Sequence, residues 1–504
     1  MAHDRTPFTG PWEDPLSSRS IEVHTRFVSS DLQKNVAYLE KLLGVKESFD
    51  IISQPYELRG RKLHIFVING FYQEQTILQL LAELLSEDSW PEEREGPFLP
   101  HLFTHGLTLP GVQVVDTVDE LATAVLAGPL GILIDGFKKA LVVDTRTYPA
   151  RIPNVPQTEK VIFGPQDGFV ETLLYNTVLI RRRLRDPRLR CEKITVGRHS
   201  RTDVAICYLE GVADEGVLQK VRERLARSDI RNVTMAERAV ANILSAHPWN
   251  PLPTVRFTER ADLAAAQIVE GRVVVIVDTA PNAIIVPAPF FTHVPHPEEF
   301  HLPALAATYL RWLAILAALA SVYLPAIWLL SILEPRLLAW PWPTRPAGGA
   351  FLSIPLQLIL AAVSIELIRR AVLNTPTPIV AAMSIIGAVV VGDAVIKAKV
   401  FLPEVLVVMG LSAVFNFAIP SVEFTFIARL MALFLLFMTW GLHVWGILLG
   451  TLLFFLTMLF TRTLGVSYLW PLWPFDARAL KAIFLVPPLT ADMTSEGGSW
   501  RRQT

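Results

Sequence analysis

WLAILAALASVYLPAIWLLSIL, residues 312–333, carries no formal charge over 22 positions. As a helix it would be roughly 33 Å long, enough to cross the hydrocarbon core of a bilayer. Pro325 should kink it, which is tolerable where neighbouring helices cover the freed backbone groups. The stretch also divides the chain. Of 93 charged residues only 13 lie between Leu302 and Thr461, so the other 80 belong to the first 301 residues and the tail. Charged residues make up 18% of the whole and mean hydropathy is +0.39, against about 25% charged in soluble domains. With a net charge of −1, nothing favours a nucleic-acid partner.

Downstream, the apolar pattern continues. The expected membrane bundle covers 301–465, with spans near 307–333, 351–370, 402–422 and 429–461 and a re-entrant element at 378–397 broken by Gly387 and Gly392. This arrangement puts Arg369, Arg370, Lys397, Lys399, Arg462 and a cytoplasmic tail (466–504) inside. It leaves Arg336, Arg345 and Arg429 outside, in keeping with the positive-inside bias.

Upstream, the chain repeats itself. LHIFVING (63–70) is an apolar strand ending in glycine, followed by FYQEQTILQLLAELL with helical spacing. VAICYLEG (204–211) is followed in the same way by VADEGVLQKVRERLA, and Gly70 and Gly211 are 141 positions apart. GILIDGFKKALVVD (131–144) and GRVVVIVDTAPNAIIVP (271–287) both read as two strands around a turn, with first glycines 140 apart. The expected fold class is therefore an α/β soluble region of two duplicated subdomains followed by an all-α polytopic membrane bundle. A disordered tail (1–30) precedes the first subdomain (31–160), and a linker helix (161–190) precedes the second (191–300). The linker ends in Arg181–Arg183 and Arg185, read as a solvated face or a contact with anionic lipid or a partner. The polar N-terminus has no basic-then-apolar signal, so the soluble region is expected on the cytoplasmic side. Cys191 and Cys207 read as buried thiols rather than a disulfide.

Charges at membrane depth are functional suspects. Asp393 sits in GAVVVGDAVIK and reads as lining a pore or gate, or as pairing with Lys397 one turn on. Glu366 lies one turn from Arg369 and Arg370, and Asn416 reads as an interhelical hydrogen bond. His293, His296, Glu298, Glu299 and His301 fit no zinc spacing and read as a solvated membrane-entry loop. No phosphate-binding, GxSxG or HExxH motif occurs, so neither an enzyme nor a cofactor is expected.

Several ordered blocks are more specific. GPQDGFVETLLYNTVLIRRRLRDPRL (164–189), TVGRHSRTDVAICYLEGVAD (195–214) and TERADLAAAQIVEGRVVVIVD (258–278) are followed by PIVAAMSIIGAVVVGDAVI (378–396), NFAIPS (416–421) and TLGVSYLWPLWPFDAR (463–478). Together they resemble the GerA family of spore germination proteins. Arg201, Thr202, Glu210, Gly211, Glu259 and Arg260 lie within these blocks as structural or family-motif candidates. The opening LEKLLGVKESFDIISQPYELRGRKLHIFVING (39–70) and the ending YLWPLWPFDARALKAIFLVPP (468–488) resemble the stage V sporulation branch more than the A subunits of nutrient germinant receptors. The resemblance implies a multi-pass protein of the spore inner membrane. It further implies a homo-oligomeric ring and an ion channel passing monovalent cations beside other germination membrane proteins, with amplification of ion release as the branch's role. A ligand-sensing receptor subunit and a scaffold without transport are the alternatives. Asp393 and Lys397 depart from the family's usual Gln and acidic residue, and Ser467 from its usual Pro.

Overall fold

The structure is a computed structural model that describes residues 26–58, 60–72, 74–85, 111–146, 161–162, 164–228, 230–245, 249–337, 351–374 and 396–486. It divides into two compact units, Met1–Pro149 with Leu184–Leu189, and the remainder.

In the first unit, helix α1 (Leu32–Leu43) precedes strands β1 (Ile51–Leu58) and β2 (Arg61–Ile68), then α2 (Glu74–Leu85), β3 (Val112–Val115), α3 (Val118–Leu126), β4 (Leu130–Ile134) and β5 (Ala140–Val143). The strands form one sheet in the order β1-β2-β4-β5-β3, with antiparallel pairing throughout. Short apolar strands such as LGILI are buried along their whole length because helices cover what the sheet cannot.

The second unit repeats that design. Helix α4 (Leu173–Arg183) precedes β6 (Leu189–Val196), β7 (Thr202–Leu209), α5 (Glu215–Ala226), α6 (Ala236–Leu244), β8 (Arg256–Thr258), α7 (Ala261–Val269), β9 (Val273–Val277) and β10 (Ala283–Val286). The sheet order is β6-β7-β9-β10-β8, the same path with each strand renumbered by five. The repetition reaches single atoms. Asn35 Oδ1 accepts from Ser29 N and Asn176 Oδ1 from Val170 N, each six residues back. Likewise Asp135 accepts from Leu32 N, and Asp278 from Leu173 N.

These pairs correct one expectation. Residues 161–190 are not a linker helix: α4 is the counterpart of α1, with Leu173, Val178, Leu179 and Ile180 buried. Arg181, read as part of a solvated basic run, is 1% exposed.

Beyond β10 two short 3-10 turns, Phe290–His293 and Pro297–His301, lead into α8 (Ala304–Leu333). There follow α9 (Ile354–Asn374), α10 (Pro403–Phe417), α11 (Val422–Leu442) and α12 (Val444–Phe460). Of the described helices, α8 and α11 are long and apolar enough to cross a membrane, and α10 and α12 are shorter apolar helices. The expected single span at 429–461 is two helices. His443 adopts φ 54° between them and α12 folds back along α11. A Cβ on Gly446 would lie 2.0 Å from Met438 O, and one on Gly450 2.7 Å from Leu435 Cδ2. At Gly446, against a backbone carbonyl, only glycine permits that approach.

Hydrogen bonds set the direction of each helix. α8 begins after the 3-10 turns that follow β10, with Thr308 accepting from Val486 N, and at its other end Glu334 Oε1 lies 2.8 Å from His443 Nδ1. α11 therefore also runs away from the sheet, and α12 returns, ending where Asn250 donates to Thr461. α10 runs toward the sheet, ending just before Ser421, and Leu402 N at its start is held by Gln357 near the start of α9. Thus α9 and α10 both point toward the sheet. Arg369 and Arg370 lie at the sheet end, Lys397 and Lys399 at the far end, so the expectation that all four share one side does not hold. Arg429, expected opposite them, lies at the sheet end with Arg369. Residues 375–395, which carry most of the expected re-entrant element, lie outside the described residues.

The chain after α12 is not a free tail. A two-residue hairpin, β11 (Arg462–Thr463) with β12 (Val466–Ser467), packs Leu464 and Val466 into the core of the second sheet. Tyr468, Leu469 and Trp470 are buried beyond it. Helix α13 (Ala477–Phe484) then lies against α8, where Phe484 stacks on Trp312 at 5.3 Å.

Candidate functional site: a polar junction between sheet and helices

Where the second sheet meets the helices, the contact includes a chain of buried and half-buried polar groups. Ser421 caps α11 by accepting from Phe424 N at 3.3 Å, and its hydroxyl donates to Glu423 Oε2 at 2.7 Å. Glu423 Oε1 accepts from Phe257 N of β8 at 2.8 Å. One helix start is thereby bonded to one edge strand. Carboxylates at a helix N-terminus are favoured by the unpaired N–H groups there, so Glu423 serves the helix and the sheet at once.

His293 closes the circuit, with Nδ1 3.0 Å from the Ser421 hydroxyl. It is 1% exposed, and burial, with the Arg256 guanidinium adding to it, pushes its imidazole down to about 3. Arg256, also buried, donates to the carbonyls of Thr292 at 2.6 Å and Pro295 at 3.2 Å. Arg272 donates to Pro287 O and to the Thr292 hydroxyl, both at 2.7 Å. Burial, and then the charge of Glu423, push the Tyr468 hydroxyl up.

A second clamp holds the start of α8. Arg311 Nε donates to Glu299 Oε2 at 2.6 Å, the two side chains being 7% and 1% exposed. Arg311 Nη1 donates to the carbonyls of Ala482 and Ile483 at the end of α13. The expected solvated entry loop is therefore corrected: His293 and Glu299 are core groups, because the bundle folds back over them.

Between α6, β8 and the start of α11 lies a cavity of about 540 Å³, lined by Arg238, Asn242, Asn250, Asn282, Glu423 and Phe426 among others. Its size and mixed polar and apolar lining suit a small polar molecule. In the first unit Ser53 Oγ donates to Glu40 at 2.8 Å and lies 2.6 Å from His64 Nε2 beside a second cavity. No spacing in the sequence announced that cluster, because a helix and two strands contribute one residue each.

The residues singled out by sequence distribute unevenly. Asp393, Gly387 and Gly392 lie outside the described residues, and Lys397 is exposed at the far end. Asn416 is buried on α10, but the interhelical bond is made one turn earlier, from Ser412 to Ser321 O at 2.9 Å. Glu366 accepts from Arg369 on its own helix, as its spacing suggested, and also from Arg429 of α11 at 2.6 Å. The family-block residues fall at turns and in ion pairs of the second unit. Arg201, at φ 44°, turns the chain into β7, which Thr202 opens, and Gly211, at φ 73°, turns it toward α5. Glu210 pairs with Arg190 at 2.6 Å. Glu259 O accepts from Phe169 N, and Arg260, 1% exposed, pairs with Asp262 at 2.6 Å and donates to Pro165 O. The junction was missed because its members, at 257, 293 and 421–423, are far apart in sequence.

A family profile described as Bacillus/Clostridium GerA spore germination protein matches residues 37–496. The chain is 36% identical over 450 residues to stage V sporulation protein AF of Bacillus subtilis strain 168, covering 89% of this chain and 90% of that protein. It is 29% identical over 472 residues to spore germination protein KA of the same organism, covering 91% and 85%. The crystal structure of the N-terminal domain of the A subunit of the Bacillus megaterium spore germinant receptor GerK3 matches 53% of this chain and 98% of that one, at 23% identity and a TM-score of 0.42.

Proposed function

The chain belongs to the GerA family of spore germination proteins, and from that membership we propose that it is a multi-pass protein of the spore inner membrane and a subunit of an oligomeric channel that amplifies cation release. The observation that carries the reading is the junction. A soluble sheet is bonded through Glu423 to the first turn of a helix long and apolar enough to cross a membrane, so a shift in one is passed to the other. In this proposal the N-terminal region faces the cytoplasm and copies of the chain form a ring beside other germination membrane proteins. Monovalent cations pass near Asp393, Gly387 and Gly392.

The test is flux. The full chain reconstituted in liposomes should release trapped potassium, and Asp393→Ala should change the rate. Empty-liposome leak from the wild type would sink the channel. An unaltered rate in the variant would sink the role of Asp393.

The cavity beside Glu423 favours a second reading, an A subunit of a nutrient germinant receptor that senses a small polar ligand. Calorimetry on the full chain with candidate nutrients separates the two. Heat with a nutrient, lost in Asn242→Leu, supports sensing, and none with any nutrient removes it.

A further inference from the structure

We propose that Arg369 and Arg429 form a binding site for the phosphate of an anionic phospholipid at the sheet end of the helices. The inference rests on the membrane reading above.

Both guanidinium groups bond one carboxylate. Arg429 Nη1 donates to Glu366 Oε2 at 2.6 Å, Arg369 Nε donates to the same oxygen at 3.1 Å, and Arg369 Nη2 donates to Oε1. Both also lie over the ring of Phe426, at 4.8 and 4.6 Å from its centroid. Two cations therefore share one anion and leave the cluster at +1, before the neighbouring Arg370 is counted. A guanidinium presents a planar fork that suits a phosphate's oxygens, and a ring beneath it keeps that fork in place.

The surroundings say which phosphate. Arg429 is the eighth residue of α11, roughly 10 Å along the helix from the sheet. Leu367, Ile368 and Leu430 beside the cluster are 59–63% exposed, as side chains facing acyl tails would be. The arginines and Glu366 remain 24–38% exposed and reachable. An excess cation among apolar side chains needs a counter-anion, and at this depth long basic side chains reach up to the headgroup layer. A lipid offers the anion and the tails together, which free phosphate does not.

The full chain in mild detergent, equilibrated with equal phosphatidylglycerol and phosphatidylcholine, is read by native mass spectrometry. The wild type should retain the anionic lipid about fivefold over the zwitterionic one. Arg429→Gln should bring the ratio near unity. Glu366→Gln, which removes the competing carboxylate, should raise it, and this arm still decides if Arg429→Gln does not fold. Equal retention in the wild type, or a ratio that Glu366→Gln leaves unchanged or lowers, overturns the proposal. So does displacement of the lipid by excess inorganic phosphate alone. Extraction of the wild-type chain from membranes by alkaline carbonate would instead sink the membrane reading beneath it.

Discussion

His293 shows how a single side chain reports on the junction. Its buried imidazole lies against the Ser421 hydroxyl near Arg256 and Arg272, and burial with those two charges opposes a further positive charge. Below the ordinary histidine value of 6.5 the unfolded chain takes up a proton that the folded chain refuses until about 3. Stability is therefore complete above 6.5 and falls as pH drops through that window, by about 1.4 kcal/mol per unit at most. The melting temperature of the detergent-solubilised chain should fall from pH 7 to pH 5, and His293→Gln should flatten the slope. A wild-type and variant slope that coincide would exclude His293 as the cause. Arg311 and Glu299 are a sharper case. Removing one partner strands a buried charge, so Arg311→Ala should cost about 3–5 kcal/mol, and Arg311→Met with Glu299→Gln should recover much of it. Chemical denaturation of the single and double variants measures both. Neither role was legible in the sequence. Histidines and glutamates after an apolar strand look like a wet loop until the elements that cover them are in place.

At the scale of the element, the apolar pattern located β2, β4, β5, β7, β9 and β10 and the long apolar helices but misread where some helices stop. Residues 430–461 hold no ionisable group except His443, and glycine is common within membrane helices. The turn follows from close approach: Gly446 lies against a backbone carbonyl of α11, while Gly441 faces open space. Gly446→Ala should therefore lower stability by about 1–3 kcal/mol, and Gly441→Ala should lower it not at all. Thermal melts of the two variants compare them directly, and equal behaviour would refute the tight hairpin. Helix α4 was misassigned for a different reason. Its run of arginines advertises solvent, yet Asn176 and Asp278 fasten it as Asn35 and Asp135 fasten α1. The repeat was visible in the glycines, but not that it began with a helix.

For the whole molecule, the directions of the helices carry the consequence. If they cross a membrane, Arg370 and Lys399 face opposite compartments, whereas counting basic residues had put them on one side. Arg370→Cys and Lys399→Cys, tested separately in sealed vesicles with an impermeant maleimide, should label from opposite faces. The native Cys191 and Cys207 are buried and need not be removed. Labelling from the same face would overturn the helix directions.

The duplicated sheet units and the family were legible in the residues themselves. Charge density, strand–glycine–helix spacing and ordered blocks are local properties that survive without a fold. The hairpin at His443, the buried Arg311–Glu299 pair and the bond from Glu423 to β8 were not. Each depends on which distant segments meet, and an ionisable or small residue reads alike in water and in a core until its neighbours are known. The uncharged stretch at 312–333 is clear from composition alone. That the start of its helix is clamped through Arg311 to the turn before it and to the end of α13 was decided only by packing, since burying that charge required a carboxylate from one segment and carbonyls from another.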